Sequence, residues 1–298
     1  MIVKISNMSQ LTFNIVDVFA EEKYAGNQLA VVRYGKDLTD VEMQRIAHEM
    51  NYSETTFIIS GEERNGGFDV RIFTPKEEVP FAGHPTLGTA YVIQQEIIRK
   101  HVEKVVLNLK VGQIPVTFST EGILWMNQKE PTFGRTFDAE EISRILSVDN
   151  QAIDDRFPIE EVSTGLPFII VPMRKLEDVK KCSVVKDRLF DLIKQTEAKS
   201  ILVFNPETYD AKNDLNVRVF VDYYGIPEDP ATGSGNGCLA SYLVKHQYFK
   251  RERVNVRVEQ GYEIGRPSLL YLNAELKEGR IVVDVGGKVV SVARGELF

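Results

Sequence analysis

A strand, a turn and a glycine-opened helix occur twice in this chain of 298 residues, and this repetition constrains its fold more than any other feature. VRIF at 70–73 has a counterpart in VRVF at 217–220, and each is followed by a Glu, a Pro and a Gly. At an offset of 150 residues the identities are Glu78 with Glu228, Pro80 with Pro230, Gly83 with Gly233, and Ala90 with Ala240. Self-similarity at a fixed separation is typical of duplicated units. The sequence therefore predicts two related halves, each of which brings a helix N-terminus to a common cleft.

The rest of the pattern contains many short strand-like runs and few helices. Residues 39–50 predict a helix, because Thr39 and Glu42 form a capping box and apolar residues recur on one face. Asp138 is expected to cap a second helix, and another should begin near Pro85, since proline suits the first helical turn. This order lacks the strand–helix alternation of a doubly wound sheet, and it predicts an α+β fold with mostly antiparallel strands.

The length and the pattern together predict two domains. KEPTFGRTF, near residue 130, interrupts the pattern and indicates a linker. We therefore expect an N-terminal half over residues 1–128 and a C-terminal half over 129–298, with the last strand able to return to the first half.

Composition excludes several classes of protein. A hydrophobic fraction of 43% is ample for a packed core, so the chain is not disordered. The net charge of −7 argues against non-specific nucleic-acid binding, which needs a basic surface. Two cysteines are too few for a disulfide scaffold, and no segment resembles a signal peptide or a membrane span. A cytoplasmic protein is expected.

The two predicted helix starts are candidate anion sites. Gly83 and His84 lie immediately before the proline that opens the first helix, and Gly233 and Ser234 lie at the start of the second. Exposed backbone N–H groups and the helix dipole favour a carboxylate there, or the enolate formed when the adjacent carbon loses a proton. Two ordinary capped helices are the alternative, and the repetition of the pattern favours the anion sites.

Other chemistries fit the sequence less well. The glycine run reads G-x-G-x-G rather than G-x-G-x-x-G, and the four histidines show no metal-ligand spacing. Cys238 could be a nucleophile in the first turn of a helix, but its apolar neighbours favour a buried packing residue. Glu54, beside an apolar strand, and Asp229, before a proline, are candidate acid/base groups that residue physics alone does not separate from solvated or helix-capping carboxylates.

These motifs together resemble the signature blocks of the phenazine-biosynthesis PhzF-like family. The blocks are DVFAEEKYAGNQLAVV, NYSETTFI, RIFTPKEEVPFAGHPTLGTA and EDPATGSGNGCLA. The resemblance implies a diaminopimelate-epimerase-like fold, in which two similar domains each wrap a curved, mostly antiparallel sheet or barrel around a central helix. It also implies isomerase chemistry on a small-molecule carboxylate substrate without a cofactor or metal, in a homodimer.

Residue by residue, the resemblance makes Glu54 the general acid/base, and His84 and Asp229 polar substrate contacts and proton-relay partners. Ser234, with the backbone of Gly83 and Gly233, would hold the substrate carboxylate. Asn27 would line the cleft. Gln28 stands where many relatives have proline, and Gly235-Asn236 replaces an Ala-His pair.

Three functions stay open at this point. A proton shift catalysed by the single base Glu54 is the leading hypothesis. An amino-acid epimerase or racemase is the second, and it would need another acid/base opposite Glu54. A non-catalytic metabolite-binding protein with the same cleft is the third.

Overall fold

The computed structural model describes residues 11–298, which form two compact units. The first unit comprises residues 11–24, 28–126 and 288–298, and the second comprises residues 25–27 and 127–287. The chain thus passes from the first unit to the second after residue 126, and its last strand lies in the first unit.

The first unit is a mixed sheet with two helices. Its strands are β1 (Leu11–Val18), β2 (Asn27–Arg33), β3 (Thr55–Ile58), β4 (Phe68–Phe73), β5 (Glu78–Val79), β6 (Lys104–Leu109), β7 (Gly112–Phe118), β8 (Leu124–Asn127) and β17 (Val289–Leu297). Its helices are α1 (Asp40–Met50) and α2 (Gly83–Val92), and α2 continues as a π-helical segment over Ile93–Ile98.

The second unit has eight strands and four helices in the described part of the chain. Its strands are β9 (Thr132–Phe137), β10 (Ile159–Ser163), β11 (Pro167–Pro172), β12 (Ile201–Asn205), β13 (Leu215–Phe220), β14 (Arg253–Gln260), β15 (Ser268–Lys277) and β16 (Arg280–Gly287). Its helices are α3 (Ala139–Leu146), α4 (Leu176–Lys181), α5 (Lys186–Ile193) and α6 (Gly233–Lys245).

The same succession of strand pairings occurs in each unit. In the first, β2–β3 is parallel, β3–β4 antiparallel, β4–β6 parallel, and β6–β7 and β7–β8 antiparallel. In the second, β11–β12 is parallel, β12–β13 antiparallel, β13–β14 parallel, and β14–β15 and β15–β16 antiparallel. The expected α+β architecture with mostly antiparallel strands is therefore present.

The repeated Arg and Glu of the sequence form the same ion pair in each unit. Arg71 donates from Nε and Nη2 to the two carboxylate oxygens of Glu78, at 2.8 and 2.7 Å. Arg218 donates in the same way to Glu228, at 3.0 and 2.7 Å. In both units the Glu lies beside the phenylalanine that ends the preceding strand, so the pair fixes the return of the chain toward the glycine-opened helix.

The glycine-opened helices are the buried helices of the two units. α2 contacts β1, β3, β6, β7 and β17, and α6 contacts β10, β11 and β14–β16. A helix that is packed on all sides needs apolar or small residues all round, which both sequences supply. Gly88 shows how close the packing is, because a Cβ there would lie 2.6 Å from Leu29 and 2.9 Å from Val18.

The other helices pack on the opposite side of their own sheets. α1 buries Met43 and Ala47 against Phe57 and Phe73. Helices α3, α4 and α5 cover a second cluster that includes Ile169, Val203 and Phe220. Each unit is therefore a sheet between a buried helix and outer helical cover.

Several local predictions are confirmed, and one holds only in part. The capping box of α1 and the Asp138 cap of α3 are both present. The helix predicted near Pro85 is present as α2, which begins at Gly83; Pro85 lies in its first turn, where a missing N–H removes no intrahelical hydrogen bond. The predicted linker near residue 130 is confirmed only in part: residues 128–131 form an irregular connection, but residues 132–137 form β9 and pair with β10.

None of the helices within residues 11–298 is long and apolar enough to cross a membrane.

Candidate active site

Glu54 lies in the first unit, at the start of a central strand. Helix α1 ends at Asn51, whose left-handed conformation (φ 53°) turns the chain toward β3. Glu54 immediately precedes this strand and is two residues before Thr56, so both side chains point to the same face. The hydroxyl of Thr56 is 2.8 Å from that of Thr89 on α2. Glu54 therefore faces α2, and its side chain is 18% exposed.

His84 is the residue of α2 that meets Glu54. Its Nε2 lies 3.4 Å from Oε2 of Glu54, and its side chain is 8% exposed. Burial lowers the pKa of His84 from 6.5 to about 3, while a hydrogen bond to the backbone of Gln28 acts in the opposite direction. The imidazole is therefore neutral at physiological pH.

The charge state of His84 decides what this pair can do. An imidazolium would hold the Glu54 carboxylate in an ion pair and weaken it as a base. A neutral ring has one N–H and one lone pair, so it can donate a hydrogen bond to the Glu54 carboxylate or accept one from the protonated carboxyl without forming an ion pair. The pair is a half-buried carboxylate beside a neutral hydrogen-bonding partner, which leaves the carboxylate available as a base.

Asp229 is the centre of a polar cluster in the second unit. Its backbone N–H donates to Val219, which holds it beside β13, one residue after the Arg218–Glu228 ion pair. Burial raises the pKa of Asp229 from 3.8 to about 6, and hydrogen bonds from Thr232 and Asn27 oppose this rise. The Asp229 carboxyl therefore changes charge close to neutral pH.

Each carboxylate oxygen of Asp229 accepts one hydrogen bond from the protein. Asn27 Nδ2 donates to Oδ1 at 2.9 Å, and Thr232 Oγ1 donates to Oδ2 at 2.5 Å. Asn27, which belongs to the second unit, is buried and also donates to the carbonyl of Ala231 at 3.0 Å. Its amide is therefore used to position Asp229.

The remaining predicted residues lie at the two helix starts. Gly83 opens α2 and Gly233 opens α6. Ala82, the residue before α2, and Thr232, the residue before α6, make no side-chain capping hydrogen bond to these helices. Backbone N–H groups of the first turns are therefore not capped from the preceding residue. Ser234 is partly exposed in the first turn of α6.

The thiols are poorly placed for chemistry. Cys238 is buried in α6 and donates to the carbonyl of Leu166 at 3.5 Å, and burial raises its pKa to about 12. Burial likewise raises the pKa of Cys182 to about 12. Both are protonated at neutral pH, which agrees with the interpretation of Cys238 as a packing residue.

Among the residues that the structure describes, no three His, Cys, Asp or Glu side chains are grouped so as to hold a metal ion.

Thr232, Gln260 and Asn236 are members of the Asp229 cluster that sequence reasoning did not select as site residues. Thr232 is within the DPATGS motif, so its position next to Asp229 was a usable signal. Asn236 was noted only as a departure from relatives. Gln260 ends β14, 31 residues after Asp229, and nothing local in the sequence marks it.

The comparisons with known proteins point to one family. The model of the PhzC-PhzF family, described as phenazine biosynthesis-like protein, matches residues 16–295. A trans-2,3-dihydro-3-hydroxyanthranilate isomerase of Pseudomonas fluorescens is 34% identical over 295 residues, which cover 95% of this chain and 98% of that protein.

Solved structures show the same architecture. A PhzF-family phenazine biosynthesis protein of Bacillus anthracis superposes with a TM-score of 0.89 at 26% identity, over 98% of this chain and 100% of that one. A hydroxyproline epimerase of Agrobacterium vitis shares the fold alone, with a TM-score of 0.63 at 8% identity over 97% of this chain and 91% of that one. The fold is therefore the sheet-dominated architecture of PhzF proteins and proline-racemase-type enzymes. The chain belongs to the PhzC-PhzF family of phenazine biosynthesis-like proteins.

Proposed function

We propose that the protein is a cofactor-independent isomerase. It removes a proton from one carbon of a small carboxylate-bearing metabolite and returns it at another, with Glu54 as the general acid/base. The observation that carries this proposal is the 3.4 Å contact between Glu54 and a buried, neutral His84. The isomerase activity printed for the Pseudomonas fluorescens relative supports the reaction class.

His84 acts in this reaction as a neutral partner of Glu54. After Glu54 accepts a proton from the substrate carbon, the lone pair of a neutral imidazole can accept a hydrogen bond from the new carboxylic acid. That hydrogen bond holds the proton on Glu54 until it is delivered to the second carbon. A protonated His84 could not accept it.

An internal duplication supports a single base rather than two. We propose that the units arose by duplication, because they share the pairing order and the Arg–Glu ion pair. On this alignment Ser200, which precedes β12, is the counterpart of Glu54, which precedes β3. Ser234 likewise matches His84 at the second position of the buried helix. A serine is a poor base at neutral pH, so only the first unit supplies a carboxylate at this position.

The Asp229 cluster supplies the polar contacts in the second unit. Asp229 receives one protein hydrogen bond on each carboxylate oxygen, which leaves a second lone pair on each for a donor on the substrate. The first turn of α6, with Gly233 and Ser234, and that of α2, with Gly83, provide backbone N–H groups that suit a carboxylate.

The test is proton exchange measured by NMR in D₂O. The wild type, Glu54→Gln and a matched control, Glu103→Gln, are incubated with trans-2,3-dihydro-3-hydroxyanthranilate and with a panel of amino and hydroxy acids. Glu103 is an exposed glutamate of the same unit, so its substitution controls for the loss of one charge. We expect deuterium in a substrate carbon with the wild type and control, and a rate lower by about 10²–10⁴-fold with Glu54→Gln.

The outcomes separate the hypotheses. Retained exchange by a folded Glu54→Gln variant would remove Glu54 from the acid/base role. Deuterium at a new carbon, together with a shifted double bond, identifies an isomerase. Deuterium at the original stereocentre, without a shifted double bond, identifies the epimerase alternative. No exchange with any compound favours the metabolite-binding alternative.

The thiol route to the epimerase alternative is disfavoured by the structure. Racemisation by a pair of cysteines needs one of them as a thiolate base opposite a thiol acid, and burial raises the pKa of both Cys182 and Cys238 to about 12. An epimerase would therefore use Glu54 with His84 or Asp229. The homodimer and the cytoplasmic location stay predictions, and analytical ultracentrifugation tests the first.

A further inference from the structure

We infer that Gln260 is a positioning residue, whose side-chain amide fixes the Thr232 hydroxyl as a hydrogen-bond donor to Asp229. Gln260 lies at the end of β14 and is completely buried, as expected of a structural polar group with every partner supplied by the protein. Its importance for turnover rests on the proposed function, but its effect on Asp229 does not.

Backbone groups of fixed polarity determine how the Gln260 amide is oriented. Its Nε2 donates to the carbonyl oxygen of Asp229 at 2.7 Å, and that oxygen can only accept. Its Oε1 accepts from the backbone N–H of Thr232 at 3.2 Å, and that group can only donate. Rotating the amide by 180° would place donor against donor and acceptor against acceptor, so only the observed orientation satisfies both.

This orientation in turn determines the direction of the Thr232 hydroxyl. Gln260 Nε2 also lies 3.0 Å from Thr232 Oγ1, so the hydroxyl oxygen accepts from Gln260. The hydroxyl proton must then point elsewhere, and Asp229 Oδ2 is 2.5 Å away. Asn236 completes the arrangement, because its Nδ2 donates to Gln260 Oε1 at 2.8 Å and to the Thr232 carbonyl at 3.0 Å.

The consequence is a carboxylate that cannot lose its donor by a simple hydroxyl rotation. A threonine hydroxyl without Gln260 could turn away from Asp229 and accept or donate elsewhere. Hydrogen bonds to the ionised form of a carboxyl favour ionisation. Gln260 therefore helps to keep Asp229 charged against the burial that opposes its charge.

The experiment follows the titration of Asp229 directly, by ¹³C NMR of the side-chain carboxyl carbons in protein labelled with ¹³C-aspartate. Asp229→Asn identifies the resonance. The variants are Gln260→Met, which keeps the volume, Thr232→Val, which removes only the hydroxyl, and the double variant. Gln195→Met, an exposed glutamine of the same unit, is the matched control.

We expect Asp229 to become an acid at least about tenfold weaker in Gln260→Met and in Thr232→Val, because each change removes the fixed donor. The double variant should be no weaker than Thr232→Val alone, because Gln260 acts through the Thr232 hydroxyl. The control should titrate like the wild type. Thr232→Ser should also do so, since it retains the hydroxyl.

Two results would overturn the inference. An unchanged Asp229 titration in folded Gln260→Met means that the hydroxyl is held without Gln260. A further shift in the double variant means that Gln260 acts independently of Thr232. If Gln260→Met does not fold, Gln260→Glu takes its place. This variant keeps the two hydrogen bonds that Gln260 accepts and loses the two that it donates. The effect of its added charge is measured separately in the Thr232→Val background.

Turnover gives a second readout that is separate from the titration. If the proposed function holds, the acidic limb of kcat against pH should move to higher pH in Gln260→Met by the amount that NMR measures. Absence of turnover in the wild type would contradict the proposed function and leave the NMR result standing.

Discussion

Replacing Gly261 by alanine tests the close approach on which the Asp229 cluster depends. Gly261 follows Gln260 and has φ +78°, a left-handed conformation that costs an L-residue about 1–2 kcal/mol. A Cβ there would also lie 2.4 Å from the carbonyl oxygen of Arg266 and 2.6 Å from that of Pro230. Both atoms are backbone, so they cannot move aside by a rotamer change, and such overpacking adds about 1–3 kcal/mol. We expect Gly261→Ala to lower the free energy of unfolding by about 2–5 kcal/mol.

Gly265→Ala is the matched control for this prediction. Gly265 has φ +70° and no heavy atom within 4 Å of a built Cβ, so its substitution should cost only the conformational strain of about 1–2 kcal/mol. Urea unfolding followed by circular dichroism measures both free energies. Equal losses in the two variants would show that the approach of Gly261 to Pro230 is not tight, and would refute the reasoning.

Two further predictions concern titratable groups. Burial lowers the pKa of His84 to about 3. Between pH 6.5 and pH 3 this histidine is therefore protonated in the unfolded chain and neutral in the folded protein. The contribution of this group to the free energy of unfolding should therefore be complete above pH 6.5. It should fall toward pH 3 by up to about 1.4 kcal/mol per pH unit. His84→Asn should flatten that slope in urea unfolding at several pH values, and an unchanged slope would contradict a neutral buried imidazole. Because the pKa of Cys238 is raised to about 12, its thiol should resist alkylation at pH 7 until denaturant is added, and Cys238→Ala should retain proton exchange. Rapid alkylation of the folded protein at Cys238 would contradict this.

Local signals in the sequence predict much of the fold. The capping box of Thr39 and Glu42 and the Asp138 cap act within one helical turn, so they can be recognised without tertiary information. The glycine-opened helices were also predictable, and α2 begins at Gly83, two residues before Pro85. The strand β9 within KEPTFGRTF was not predicted because the segment has few apolar residues, and β9 forms through its pairing with β10.

The candidate site was less accessible to residue physics. Glu54 and His84 are 30 positions apart, and only the packing of α2 on β3 brings them to 3.4 Å. The identities of these residues came from the family resemblance, while the neutral state of His84 follows from its burial, which the structure alone supplies. Gln260 could not be found at all, because a glutamine at the end of a strand has no distinctive sequence context.

The repeated motif itself explains why the pattern located the site without identifying its chemistry. The matched residues Glu78 and Glu228 bind Arg71 and Arg218 in the same geometry, so their repetition reflects the way the chain returns to each buried helix. One position further on, Val79 stands in the first unit and Asp229 in the second, and burial raises the pKa of Asp229 to about 6. The shared positions build the two helix starts, and the positions that differ supply the groups that titrate. Selecting residues by internal identity therefore finds the scaffold of such a protein, and candidate acid/base groups must be sought where the two units differ, as at Glu54 and its counterpart Ser200.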